Sequence, residues 1–112
     1  MADCLFCRIV KGEIPSKVVY EDDSFYAFHD INPQAPTHVL LIPKKHIEGV
    51  AELGRGEEEM AGRLLVQAKQ LADSLGLESY RLVFNSGAEA GQSVFHLHLH
   101  LLGGRRMSWP PG

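Results

Sequence analysis

The chain has no basic excess. Its 11 lysines and arginines are outnumbered by 14 aspartates and glutamates, for a formal net charge of −3. A surface built to grip a nucleic-acid backbone needs the opposite balance, so nucleic acid is not an expected partner. Long apolar runs are missing as well. No stretch approaches the ~18–20 residues of a membrane span, so no membrane partner is expected. The start, Met1-Ala2-Asp3-Cys4, lacks a basic n-region and an apolar h-region, which predicts a cytoplasmic rather than a secreted protein. Cysteine is scarce. Two residues, Cys4 and Cys7, in such a compartment read as thiols or metal ligands rather than as a disulfide. Repeats and low-complexity tracts are absent. With 45% hydrophobic and 22% charged residues, the composition excludes a disordered chain. The 112 residues suit one domain, 1–112.

Glycine and proline divide the chain into short segments of changing period. Leu5, Phe6, Ile9 and Val10 recur at helical spacing and predict a short helix. Lys17 to Tyr20 and Phe25 to His29 read as strands joined by the turn Glu21-Asp22-Asp23-Ser24. Thr37 to Ile42 is β-branched and apolar up to Pro43, the pattern of a strand buried on both faces. From Glu57 to Leu75 the stripe Met60, Leu64, Ala68, Leu71, Leu75 predicts an amphipathic helix. Its glutamates at 57–59 suit the positive helix end, and Gly76 suits the C′ position. Leu65 and Val66 widen its apolar surface. Tyr80 to Asn85 and Phe95 to Leu102 read as further strands. Helix, three strands, long helix, two strands is the order of an α+β fold with a largely antiparallel, five-stranded sheet.

The chemistry concentrates in Phe95-His96-Leu97-His98-Leu99-His100-Leu101-Leu102. On a strand, Leu97, Leu99 and Leu101 share one face and His96, His98 and His100 the other, with imidazoles about 6.6 Å apart. The leucines earn a place in a core. A bland polar face would use Thr, Lys or Glu, so the histidines point to function. Two readings stand. The three imidazoles ligate a catalytic zinc. Alternatively, one neutral imidazole is a nucleophile, its second nitrogen donating to an acceptor such as a backbone carbonyl of the same strand. The upstream loop Asn85-Ser86-Gly87-Ala88-Glu89-Ala90-Gly91-Gln92-Ser93 is glycine-rich and can aim donors at an anion.

These residues carry a resemblance. The segment His96-Leu97-His98-Leu99-His100-Leu101-Leu102 is similar to the motif of the histidine-triad (HIT) nucleotide-binding proteins, and specifically of the Hint branch. The likeness extends to Glu13-Ile14-Pro15, to Asp30-Ile31-Asn32-Pro33-Gln34-Ala35-Pro36-Thr37-His38 and to Ile42-Pro43-Lys44-Lys45-His46. It continues through Gly91-Gln92-Ser93-Val94, Leu102-Gly103-Gly104-Arg105 and Trp109-Pro110-Pro111-Gly112.

The resemblance implies a HIT-like fold pairing into a homodimer through the long helix and a strand, with Trp109 reaching the partner's active site. It implies a purine nucleoside phosphoramidase that hydrolyses P–N bonds of adenosine 5′-phosphoramidates to AMP and amine, with no cofactor required for catalysis. His98 would be the nucleophile. His100 and Ser93 would contact the phosphate and assist the leaving group, His96 would orient the strand, and His38 would lie behind the triad. Asp30 would bind the ribose. Leu5, Phe6, Ile9, Phe28 and Ile31 would form the slot for a purine of AMP, GMP or their phosphoramidates. Asn85, Gly91, Gln92 and Ser93 would wrap the phosphate. The alternatives within this class are a dinucleoside polyphosphate hydrolase and a non-catalytic purine nucleotide-binding adaptor. Ser93 and the Trp109-Pro110-Pro111-Gly112 end favour the phosphoramidase.

Cys4-Leu5-Phe6-Cys7 departs from animal Hint proteins, which mostly lack this C-x-x-C. Some bacterial HIT proteins, and the related galactose-1-phosphate uridylyltransferases, resemble this chain in completing such a pair with two histidines. Carried over, the ligands of a structural zinc are Cys4, Cys7, His46 and His96. The competing readings are a redox pair and two unpaired thiols.

Overall fold

Seven main elements follow one another in the computed structural model, which describes residues 3–112. They are α1 (Leu5–Val10), β1 (Val18–Glu21), β2 (Phe25–His29), β3 (Thr37–Pro43), α2 (Glu58–Ser74), β4 (Tyr80–Val83) and β5 (Leu99–Gly103). Short 3-10 turns at Val50–Glu52 and Ala88–Ala90 interrupt the loops. The strands form one antiparallel sheet in the order β1-β2-β3-β5-β4. The α+β, five-stranded expectation holds.

Helix α2 packs on one face of the sheet. Leu64, Ala68, Leu71 and Ala72 meet Val39, Leu41, Leu99 and Leu101 there. On the other face lies α1, where Phe6 and Ile9 pack on Tyr26, Phe28, Leu40 and Ile42. The unbroken apolar run of β3 is thereby explained, since its alternate residues serve two cores. Each fully buried leucine contributes about 1.5–3 kcal/mol over an exposed one. The stripe of α2 ends earlier than its period implies, because Leu75 is exposed.

The ends of α2 follow its sequence. Glu57 and Glu58 accept hydrogen bonds from the N–H groups of Gly54 (2.7 Å) and Gly56 (2.6 Å) in the turn just before the helix. At the other end Gly76 has φ +73°, and the Gly76 and Leu77 N–H groups return to the carbonyls of Asp73 and Ala72. This is the left-handed C-terminal cap that Gly76 predicts.

One boundary differs in a way that matters. The last strand does not begin at Phe95 but at Leu99, so His96 and His98 precede it in irregular backbone. The β3–β5 ladder stops at Leu41↔Leu99. Continued in register, it would bring Leu97 opposite Pro43, which has no N–H to donate. The Leu97 N–H turns instead to the carbonyl of Ile47 at 2.6 Å. Strand β4 likewise ends at Val83 rather than Asn85.

Candidate functional site

The three histidines do not line up on one strand face. They divide between two clusters. His98 and His100 have ring centroids 5.0 Å apart, and His38 from β3 lies 5.2 Å from His100. His96 turns to another group, with the His46 ring 5.0 Å away. Phe6 of α1 stands edge-on between the two clusters, 5.1 Å from His98 and 6.0 Å from His96. His38, His96 and His98 are buried, a shelter that alternation on an open strand face would not provide.

Backbone partners fix the tautomers of His38, His96 and His98, and His38 in turn fixes that of His100. His98 Nδ1 donates to the carbonyl oxygen of His96 at 2.6 Å, so its Nε2 carries the lone pair. A backbone carbonyl of the same segment thus does what the sequence argument required. In His96 it is Nε2 that donates, to the carbonyl of Pro43 at 2.8 Å, and Nδ1 keeps the lone pair. The N–H of Gln34 donates to His38 Nδ1 at 3.0 Å. His38 Nε2 therefore carries a proton and donates to His100 Nδ1 at 2.9 Å. The remaining proton of His100 lies on Nε2, which is buried and has no partner among the described residues. Burial, followed by the neighbouring charges of His98 and His38, pushes the His100 pKa down to about 4. Burial also holds His98 and His38 below the ordinary histidine range, against the opposing pull of Asp30. The centre holds two neutral imidazoles, one with a lone pair on Nε2 and the other with a proton there.

Asp30 places one carboxylate oxygen 3.4 Å from His38 Nε2. The other oxygen accepts from the Asn32 N–H at 2.8 Å and so shapes the turn before Pro33. A cleft of about 770 Å³ opens beside it, lined among others by Ile9, Phe28, Asp30, Ile31 and His38. Of the five apolar residues expected to form a slot, Ile9, Phe28 and Ile31 line this cleft. Phe6 buttresses it, with its ring 5.4 Å from that of Phe28. Leu5 is exposed and does not line it. Pro15, Ser16, Lys17, His29, Pro33 and Pro36 complete the walls.

In the glycine-rich loop, Gly91 has φ +97°, and a Cβ there would sit 3.7 Å from the Asn85 amide. Gln92 departs from its expected role. Its oxygen accepts from the Gly87 N–H (2.9 Å), and its amide donates to the carbonyls of Glu48 (2.6 Å) and Val94 (3.2 Å). That side chain is fully engaged in holding the loop and has no donor left for an anion. Ser93 is exposed with its hydroxyl available.

The second cluster joins Cys4, Cys7, His46 and His96, whose ligating atoms all lie within 4.8 Å of one another. Cys7 Sγ is 3.3 Å from His46 Nδ1 and 3.5 Å from His96 Nδ1, and Cys4 Sγ is 3.4 Å from His96 Nδ1. A tetrahedral zinc with Zn–S ≈ 2.3 Å and Zn–N ≈ 2.0–2.1 Å has sulfur–nitrogen edges of roughly 3.5 Å. The donor set and the lone pair on His96 Nδ1 both fit such an ion. The catalytic three-histidine zinc reading fails on geometry, because His96 and His98 aim their free nitrogens at different surroundings. His38, His100 and Asp30 also fall close together. However, the His38–His100 nitrogens at 2.9 Å share a proton at less than the ~3.3 Å nitrogen–nitrogen edge of a zinc tetrahedron.

Comparison with known proteins agrees with this architecture. Residues 11–107 match the family model of the HIT domain. A HIT-like protein of Synechocystis is 54% identical over 111 residues, covering 98% of this chain and 97% of that protein. A 14 kDa zinc-binding protein of Zea mays is 55% identical over 112 residues, covering 96% of this chain and 87% of its own length. The crystal structure of a HIT family hydrolase from Legionella pneumophila superposes with a TM-score of 0.96 at 54% identity, over 98% of this chain and all of that one. Fold, motif and whole-length similarity coincide, and the chain belongs to the HIT family.

Proposed function

We propose that this chain is a purine nucleoside phosphoramidase that hydrolyses P–N bonds of adenosine 5′-phosphoramidates through a nucleotidyl intermediate on His98. One observation carries the reading. His98 is buried, and its Nδ1–H is held on the His96 carbonyl at 2.6 Å, which leaves Nε2 a neutral lone pair beside the protonated Nε2 of His100. That pairing suits attack on phosphorus, with an N–H donor for a phosphoryl oxygen. The relatives named as HIT family hydrolases support hydrolysis as the reaction class.

In the first step Nε2 of His98 bonds to phosphorus and the P–N bond to the amine breaks. The leaving nitrogen takes the bonding pair and a proton relayed through Ser93. In the second step a water hydroxyl bonds to phosphorus, and the P–N bond to His98 breaks with its pair returning to Nε2. The second proton of that water restores the one relayed earlier. The cleft lined by Ile9, Phe28 and Ile31 takes the purine, and Asp30 takes the ribose hydroxyls. His100 Nε2–H contacts the phosphate, and Asn85, Gly91 and Ser93 border it. Catalysis by these groups requires no cofactor.

Cys4, Cys7, His46 and His96 would hold a structural zinc, a closed four-ligand site with no position for water. The zinc-binding protein of maize supports this assignment. The ion would fasten α1, and with it Phe6 and Ile9, against the sheet. Residues 1–112 form a single HIT domain in this reading. A homodimer through α2 and a strand would cover Leu65 and Val66, both exposed in the single chain, and would bring the exposed Trp109 to the partner's site. None of the described helices is long and apolar enough to cross a membrane, and a cytoplasmic site of action accords with two cysteines that are not joined in a disulfide.

The test is mass spectrometry of protein quenched during turnover of an adenosine phosphoramidate. An AMP adduct on His98 is the expected result. Undiminished turnover by His98→Ala would refute the mechanism.

A further inference from the structure

We propose that Cys4 and Cys7 are a site of reversible oxidation: a peroxide joins them in a disulfide, which removes two zinc ligands and loosens α1 from the nucleotide cleft. The inference rests on the reading above that the four-residue cluster holds a structural zinc, and extends it to the regulation of the site.

The two sulfurs are placed to reach each other. The chain has two cysteines, so a disulfide within it has a single possible pairing. Cys4 caps α1 and Cys7 lies in its first turn, a spacing of three that makes side chains neighbours. The Cys7 N–H donates to Cys4 Sγ at 3.4 Å, which holds that sulfur over the turn. The sulfurs lie within 4.8 Å of each other. Side-chain rotation can close that gap to the ~2.05 Å of a disulfide, as in redox pairs of the same C-x-x-C spacing. His96 is wholly buried, whereas both cysteines are half-buried, so a small oxidant reaches sulfur without opening the fold.

The step balances with a hydroperoxide as oxidant. One thiolate sulfur takes an oxygen as the O–O bond breaks, giving a sulfenic acid and, from hydrogen peroxide, a hydroxide. The second thiolate bonds to that sulfur as its S–O bond breaks, giving the disulfide and a second hydroxide. Two protons from solvent turn both hydroxides into water. The sulfurs together lose two electrons, and the peroxide gains them.

No thiolate then remains for a metal, and His46 with His96 is only half of a tetrahedral set. Two routes carry the change to the nucleotide site. Phe6 lies between the cysteines in sequence, and its ring packs 5.1 Å from that of His98 and 5.4 Å from that of Phe28. Ile9, on the same short helix, lines the cleft. The second route is His96. Its Nδ1 faces both sulfurs, while its carbonyl accepts from His98 Nδ1 at 2.6 Å. One residue of the metal cluster therefore also holds the tautomer of the proposed nucleophile, and two cysteines hold the helix that walls the cleft.

The experiment treats the whole, reduced, zinc-loaded protein with hydrogen peroxide. Peptide mass spectrometry reads the cysteines, a chromogenic chelator reads released zinc, and calorimetry reads AMP affinity. The peptide holding Cys4 and Cys7 should lose two hydrogens and resist alkylation as zinc is released in step. AMP affinity should fall by about tenfold or more, the scale of losing one buried aromatic contact. A dithiol with added zinc should restore all three. In Cys7→Ser, which cannot form the disulfide, peroxide should leave AMP affinity where it was before treatment. Thiols that stay alkylatable with zinc retained overturn the proposal. So does oxidation that a dithiol does not reverse, or a disulfide that leaves AMP affinity unchanged. Reduced protein that takes up no zinc defeats the zinc reading and this site together, before any oxidant is added. Failure of reduced protein to bind AMP would defeat the nucleotide reading alone, and the disulfide and the zinc would still judge the cysteines.

Discussion

His38 Nε2 donates to His100 Nδ1 across 2.9 Å, and the direction of that bond is dictated from outside the pair. The Gln34 N–H occupies Nδ1 of His38, so its proton must sit on Nε2. The same logic passes on to His100 and places a proton on the Nε2 that has no partner. One backbone amide thereby sets the polarity of a chain of imidazoles that ends at the proposed phosphate position.

His98→Ala should lower turnover by at least ~10³-fold, the scale of losing a covalent nucleophile. AMP binding should persist, because Ile9, Phe28 and Asp30 line the cleft independently. Steady-state kinetics with calorimetric AMP titration checks both parts.

Ser93→Ala should cost less, about 10–10³-fold. The deficit should grow with the pKa of the leaving amine, since a poor leaving group needs its proton most. A series of phosphoramidates of graded amine basicity measures the slope. A uniform loss across the series would leave Ser93 without a leaving-group role.

Asp30→Asn keeps an oxygen to accept from the Asn32 N–H and removes the charge. It should weaken AMP binding while sparing an analogue that lacks the 2′- and 3′-hydroxyls. Equal weakening of both ligands would reduce Asp30 to a residue of the turn before Pro33.

Stability should fall in acid partly through His100. Its native pKa of about 4 lies below the ~6.5 of an unfolded histidine, so between these values the unfolded chain binds the extra proton. The stabilisation is complete above pH ~6.5 and declines as pH drops toward 4. His100→Gln should flatten the decline. Thermal melts of both proteins across that window decide it, and parallel profiles would acquit His100.

Protein purified without chelators should contain about one zinc per chain, the stoichiometry of a closed four-ligand site. Cys4→Ser should lower metal content and melting temperature, with only a secondary loss of activity. Metal-free protein of unchanged stability, with both thiols freely titratable, would return the cysteines to an unpaired role.

Much of the fold is legible in the chain itself. The stripe Leu64, Ala68, Leu71 marks α2, and the doubly apolar run from Thr37 marks a strand that serves two cores. The pattern of Leu97, Leu99 and Leu101 correctly predicts a buried face, because side-chain period is a local property of the backbone. The alternation of His96, His98 and His100 with those leucines is enough by itself to single out the candidate site.

What tertiary structure alone decided is the division of labour among the histidines. His96 and His98 are two residues apart, yet one faces Cys4 and Cys7 while the other stands beside His100. The separation arises where Pro43 stops the ladder and the chain leaves strand geometry. A local pattern cannot reveal that, because Pro43 lies 53 residues from His96. The place of Gln92 in a glycine-rich loop suggests an anion as its partner, and the carbonyls of Glu48 and Val94 claim it instead. The tautomers belong to the same class. They are set by the Gln34 N–H and by the carbonyls of Pro43 and His96, and every residue type but proline offers both groups. Residue identity says which side chains can do chemistry. Only the folded backbone decides which of their nitrogens is free to do it.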